Sequence, residues 1–271
     1  MKDYFKRLIV ETKIGYFFLK FLNILFKFVD RIPYFIFESK IKKELIVKQG
    51  PFAGLKYPAA KSYGSVFFPK IMGVYEMQLQ KYIMEFKKKK YDKIINIGAA
   101  EGYYAVGSAM LFSDTKVFAI DKDKKALSFL AKMAKINGVQ DYIKIYDGEV
   151  KKFFNEIDPK SKNLIISDCE GCEFDIFSNS STEVFKNSDL IIEMHYKKKD
   201  LTIDFQRNEF IKRFNDNHDV KIVKPIKNNV ENYPSLENMA VKYAKRFIHE
   251  NRSINAEWII FLSKNFNQNR H

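Results

Sequence analysis

Ile94-Ile95-Asn96-Ile97-Gly98-Ala99-Ala100-Glu101-Gly102-Tyr103-Tyr104 is the stretch on which the fold turns. An apolar run of strand length passes into small residues and then into a pattern of helical period. Gly98 and Gly102 permit the sharp turn, and Ala99 and Ala100 keep the backbone open to a ligand. Outward from it, short apolar runs recur at Lys93 to Ile97, Lys116 to Ile120, Tyr142 to Tyr146, Asn163 to Ser167, Leu190 to Met194 and Val220 to Val223, separated by stretches of helical length. A last run, Glu257 to Leu262, carries the only Trp and follows the helix-like Leu236 to His249. This rhythm predicts an α/β fold, a doubly wound, mostly parallel seven-stranded sheet with helices on both faces.

In such a sheet a ligand binds beyond the carboxyl ends of the strands, near the point where strand order reverses. Asp121, 23 residues beyond Gly98, closes the second strand, where a carboxylate can accept both hydroxyl hydrogens of a ribose. Strand, small-residue turn, helix, strand and acid together make a nucleoside-binding unit, with Gly98, Ala99, Ala100, Glu101, Gly102 and Asp121 as its contacts. The turn reads Gly-Ala-Ala-Glu-Gly and not Gly-x-Gly-x-x-Gly, and Glu101 puts negative charge where a pyrophosphate would lie. A dinucleotide is therefore disfavoured. The same carboxylate suits the cationic methionine end of S-adenosylmethionine (SAM). After the third strand, Tyr146-Asp147-Gly148 offers Asp147 to the exocyclic amine of adenine and Gly148 to its ring. Alone, Asp147-Gly148 is only a turn signal.

These residues resemble the class I SAM-dependent methyltransferases and, within them, the FkbM-like group. The resemblance covers Gly50 to Leu262 in organisation and is sharpest over Asn96 to Gly107 and over Asp168-Cys169-Glu170-Gly171-Cys172-Glu173, which is similar to that group's Asp-x-Glu-Gly-x-Glu signature. Gly73-Val74-Tyr75-Glu76 resembles the helix that precedes the cofactor loop, and Asp189 to His195 the fifth strand. The resemblance implies the Rossmann-like methyltransferase fold and SAM as cofactor, with Glu76 and Asp168 added to its site. It also implies O-methylation of a sugar, a surface-glycan precursor as in polysaccharide biosynthesis, or another small molecule. The two cysteines and a basic N-terminal segment depart from the group's pattern.

Methyl transfer asks for an acceptor lone pair in line with the methyl carbon and removal of the acceptor's proton. Asp168 and Glu170 follow the fourth strand and His195 the fifth, so all three belong above the strand ends as candidate catalytic residues. His195 alone has an ordinary pKa near neutrality and is the leading base. Asp168, Glu193 and His195 could instead hold a divalent metal, since Glu193 and His195 share a strand face. That reading is less favoured, because an acid-x-His pair is common by chance.

Other classes are weaker. Cys169-x-x-Cys172 suggests thiol redox chemistry but overlaps an acidic motif that such chemistry does not need. The cysteines form no disulfide framework and fit a reducing cytosol. A nucleic-acid (RNA) methyltransferase is supported by the net charge of +14. The fourth-strand motif is acidic, however, without the Asn/Asp-Pro-Pro-aromatic grip for a flipped base, so nucleic acid is not favoured. A non-catalytic SAM-binding protein is the third alternative; loss of Glu101 or Asp121 would point to it, and both are present.

Three regions follow: a basic helical extension over 1–50, a turn-rich segment and helix over 51–90, and the SAM-binding domain over 91–271. Ile14 to Val29 reads as one amphipathic helix with a narrow stripe of Lys20, Asn23 and Lys27, too short and too charged to span a bilayer. Up to Gly50 eleven basic residues stand against five acidic ones. That charge beside Phe and Leu suits an anionic membrane surface, and packing on protein or on a second subunit is the alternative. A cytoplasmic protein, peripheral at the inner membrane face or homo-oligomeric, is the expectation. Gly73 to Lys87 should be helical. Lys87 to Lys90 read as a solvated helix end, and Lys197 to Lys199 as a rim attracting an acidic acceptor.

Overall fold

The computed structural model describes residues 17, 20–22, 24–25, 28–148, 150–154, 157–178, 182–196, 198–253 and 255–267. Its strands are β1 (Lys93–Ile97), β2 (Lys116–Asp121), β3 (Ile143–Asp147), β4 (Asn163–Ser167), β5 (Asp189–Glu193), β6 (His218–Val223) and β7 (Trp258–Ser263). Its helices are α1 (Ile32–Glu44), α2 (Phe67–Met72), α3 (Met77–Phe86), α4 (Tyr103–Leu111), α5 (Lys124–Ile136), α6 (Val150–Phe154), α7 (Glu173–Ile176), α8 (Ile203–Lys212), α9 (Val241–Ile248) and α10 (Lys264–Asn267). The expected helix Ile14 to Val29 lies partly outside the described residues; residues 17, 20–22, 24–25, 28 and 29 are helical.

Two compact units result. One joins Met1–Glu44 to Asn228–His249, and the other joins Leu45–Lys227 to Glu250–His271. The sequence boundary at Gly50 leaves 228–249 with the catalytic domain, whereas in the structure that segment clusters with the N-terminal one. In the first unit α1 lays Tyr34 and Phe37 against Phe247 of α9, with ring centroids 5.4 and 4.9 Å apart.

The second unit is the expected sheet, in the order β3-β2-β1-β4-β5-β7-β6. Pairing is parallel from β3 to β5, and β7 runs antiparallel between β5 and β6. Register aligns Phe118, Ile95, Ile165, Leu190 and Phe261 in one row across five strands. That row builds one face of the core with Phe177, Phe210 and Phe214. The central strands are buried on both faces, which is why β1 and β4 read as unbroken apolar runs.

Helix boundaries follow local chemistry. Asp123 caps α5, its carboxylate accepting from Lys125 N at 2.8 Å, and Ala126, Leu127, Leu130, Met133 and Ala134 bury one face. Gly73 to Lys87 is not one helix. Gly73 is left-handed at φ 71 and a Cβ there would stand 2.0 Å from the Gln49 carbonyl oxygen, so it ends α2 and the chain restarts at Met77. Lys89 is not simply solvated either, since it reaches the buried Asp189 at 2.6 Å.

Candidate active site

Strand order reverses between β1 and β4, and a cavity of about 760 Å³ opens beyond their carboxyl ends. Its size lies within the range of cofactor and small-molecule sites, about 300–1,000 Å³. Gly98 (φ 72) makes the opening: a Cβ on it would fall 1.6 Å from the Asp168 carbonyl oxygen, so the β1 turn passes hard against the β4 end only as glycine. Gly98, Ala99, Ala100, Glu101, Asp121, Gly148, Asp168 and Glu170 line the cavity. Gly102 sits behind it, left-handed at the start of α4 with no room for a Cβ beside Leu130.

Asp121 accepts the Ala100 N–H at 2.8 Å with Oδ2 and the Asp123 N–H at 2.9 Å with Oδ1. It thereby fixes Ala100 at φ 45 and stays at the cavity wall, where its remaining lone pairs fit ribose hydroxyls. Buried Asn96, also on the wall, has an Oδ1 without a hydrogen-bond partner among the described residues.

Three expected cofactor contacts are engaged by partners within the protein, and two of them, Glu76 and Asp147, are not among the lining residues. Glu101 is buried on Lys70 (2.5 Å), Ser62 Oγ (2.7 Å) and the Tyr63 N–H (3.1 Å). Burial alone would raise its pKa, but Lys70 and these bonds outweigh that and lower it, so its charge is matched within the protein at the cavity wall. Asp147 is half-exposed on Lys124 at 3.1 Å and is not among the lining residues. Glu76 is buried outside the cavity, left-handed at φ 47, and holds Arg252 and the Tyr104 hydroxyl.

Arg252, which carries no local sequence signal, is the hub of the cavity floor. It pairs with Glu76 and Glu193, with Glu250 at 2.7 Å, and donates to the Tyr75 hydroxyl at 3.0 Å. Burial and the charges of Asp168 and Glu76 nevertheless push Glu193 up to about 9, and burial raises Asp168 as well. The two adjoining carboxyls thus share a proton at neutral pH, with Glu193 as its holder.

His195 stands beside this floor and is not among the lining residues. Its Nδ1 meets the buried Glu173 at 2.9 Å, and its Nε2 lies 3.4 Å from Glu170 and 3.9 Å from Asp168. Burial pulls the imidazole pKa down, but the Glu173 hydrogen bond and the charges of Glu173, Asp168 and Glu170 leave it raised above 6.5. Glu173 lies within the quoted fourth-strand motif, yet nothing in the motif assigns it this role. Asp168, Glu193 and His195 offer ligand atoms within 4.8 Å of one another, so the metal alternative has its geometry. The sulfurs of Cys169 and Cys172 are bonded, where two free thiols were expected; the bond closes the tight turn that carries Glu170 at the cavity wall. Neither Lys198 nor Lys199 lines the cavity, and Lys197 lies outside the described residues.

Comparison with known proteins gives a family. The family model of the TRM5/TYW2 methyltransferase domain matches residues 63–223. A curated relative, a probable cobalt-precorrin-6B C(15)-methyltransferase (decarboxylating) of Saccharolobus solfataricus, is 26% identical over 112 residues, 41% of this chain and 56% of that protein. The chain thus spans little more than half of that relative's length. Among solved structures, a precorrin-6y C5,15-methyltransferase from Geobacter metallireducens is 14% identical, with 67% of this chain and 87% of that chain covered and a TM-score of 0.43. The O-methyltransferase TomG from Streptomyces achromogenes, in complex with SAM, is 10% identical over 66% and 76% of the two chains, with a TM-score of 0.44.

Proposed function

Because the chain belongs to the TRM5/TYW2 methyltransferase domain family and is a SAM-dependent class I methyltransferase, we propose that it methylates a hydroxyl of a small molecule, with sugars and glycan precursors as the leading class. The observation that supports this reading is the His195 array beside the cavity floor. SAM supplies a methyl group on a sulfonium that is already a good leaving group. The chain has to hold the nucleoside, align the acceptor and take one proton. Gly98, Ala99, Ala100, Asp121 and Gly148, which line the cavity, would hold the nucleoside. Glu173 keeps the Nδ1 proton of His195 and leaves Nε2 as the base, and Asp168 and Glu170 steady the imidazolium once the proton arrives. The FkbM-like grouping, and with it the sugar acceptor, rests on the Asp168 to Glu173 motif.

The acceptor end of the cavity carries Asp168, Glu170, Asp175, Glu193 and Glu250 against Arg252. This balance favours a neutral or cationic acceptor over the acidic one that Lys197 to Lys199 suggested. A second reading, an RNA acceptor, is favoured by the matched family and by the net charge of +14. Transfer of labelled methyl from SAM to panels of sugars, glycan precursors and RNA separates the two. His195→Ala should retain SAM affinity by calorimetry and lower turnover by about a hundredfold to ten-thousandfold. Unchanged turnover would end the base assignment, and chelator sensitivity of the native enzyme would move His195 to a ligand role.

A further inference from the structure

Helical residues before and within α1 expose a series of large apolar side chains: Phe21, Ile24, Leu25, Phe28, Val29, Ile32, Phe35 and Ile36. Phe21, Ile24 and Phe28 recur at helical spacing before the turn at Asp30 and Arg31, and Ile32, Phe35 and Ile36 do so in α1 after it. Exposure reaches 63% at Phe28 and 66% at Ile36, where a soluble surface has no reason to gather such residues. Within the unit α1 meets α9 through Tyr34 and Phe37, and Arg31 lies over the Phe35 and Tyr243 rings at 5.9 and 6.0 Å, while the apolar side chains named above stay exposed. Around it stand exposed Lys20, Arg31, Lys40 and Lys43. Lys40 and Lys43 share a shallow groove with Phe35, Ile36 and Ser39, with cationic ends beside apolar side chains. The acids nearby are fewer: Asp30, Glu44 and Glu38, the last paired with Lys42 at 2.9 Å.

We propose that this face is a docking surface for an anionic phospholipid membrane, with Phe21, Ile24, Phe28, Ile32 and Phe35 entering the headgroup–acyl boundary and Lys20, Arg31, Lys40 and Lys43 meeting lipid phosphates. The inference goes beyond the methyl-transfer reading and does not depend on it. The chemistry matches on both counts, since an interfacial helix binds by apolar area together with attraction of Lys and Arg to anionic headgroups. A second copy of this chain fits less well. A two-fold contact would set these cationic rims against each other in a molecule of net charge +14. A nucleic acid would use the cations but not Ile24, Leu25 or Ile32. No helix of the described residues is long and apolar enough to cross a membrane, so the face would lie in the surface and not pass through it.

The test uses the full chain with vesicles of phosphatidylcholine alone and with about one third phosphatidylglycerol, read by co-sedimentation. Binding should rise about tenfold or more with the anionic lipid and fall in high salt. Phe28→Glu with Phe35→Glu should lower it about tenfold or more, while Phe205→Glu, at an exposed apolar site of the other unit, should leave it unchanged. Circular dichroism and SAM calorimetry check that each variant is folded. Equal binding of wild type and the Phe28/Phe35 variant would overturn the proposal, as would no binding of wild type to anionic vesicles. A dimer in sedimentation velocity that the Phe28/Phe35 variant turns monomeric would assign the face to a second copy instead.

Discussion

Glu173 illustrates how one buried carboxylate sets the chemistry of a neighbour. It accepts the Gly171 N–H at 3.2 Å and faces His195 Nδ1 at 2.9 Å, so it braces the fourth-strand turn and orients the imidazole together. Because Glu173 stabilises the imidazolium, Glu173→Gln should lower the His195 pKa. A base works in its neutral form, so with His195 as the proposed base the acid limb of the pH–rate profile should move to lower pH in the variant. Maximal turnover should fall in the same variant as the tautomer loses its guide. A limb that stays in place in the variant would show that another group titrates there. Residue by residue, the sequence exposes what glycine and alanine do at Gly98 to Ala100, because backbone permissiveness is local. It exposes less at Glu76, Glu101 and Asp147, where the partner decides: Arg252, Lys70 and Lys124 lie 176, 31 and 23 positions away in the chain and follow no spacing rule. Four residues with left-handed backbone and a side chain, Glu76, Ala100, Glu170 and Asn251, lie in the cavity wall or next to a residue of it, the pattern of strain held by surrounding contacts.

At the scale of elements, β1 and β4 are the pair that makes the site. Gly98→Ala would have to relieve a 1.6 Å approach to the Asp168 carbonyl and adopt φ 72. Clash and backbone strain together should cost about 3 kcal/mol or more, measured by urea unfolding, with a parallel loss of SAM affinity. A cost under about 1 kcal/mol would mean that the β4 end moves freely. All seven expected strands lie within a residue or two of the observed ones, and β1 and β4 coincide, because strands buried on both faces are written as continuous apolar runs. Helix α2 was not legible. Phe67 to Met72 contains Pro69 and follows Gly64, which read as turn chemistry, and it is tertiary contact that buries Pro69, Lys70, Ile71 and Met72. The return of Asn228–His249 to the N-terminal segment was equally silent, since association across such a separation leaves no periodicity.

For the molecule as a whole, the buried acids of the floor make stability fall with pH. Glu193 titrates at about 9 in the folded chain against 4.5 when unfolded. Between those values the folded state keeps a proton that the unfolded chain has released, so its contribution is complete below pH 4.5 and is lost as pH rises towards 9. Glu193→Gln cannot ionise. Urea unfolding at pH 5.5 and pH 8.5 should therefore show the native protein losing roughly 4 kcal/mol more than the variant over that interval. Equal losses would mean that Glu193 is ionised throughout. The discontinuous first unit has a further consequence, for the order in which a ribosome delivers the parts. Helix α1 is made before the sheet, yet α9, which receives Tyr34 and Phe37, arrives only after six of the seven strands. Through most of synthesis those aromatic side chains lack their packing partner, and nascent chains should depend on a holdase or an early surface contact until residue 249 has been made.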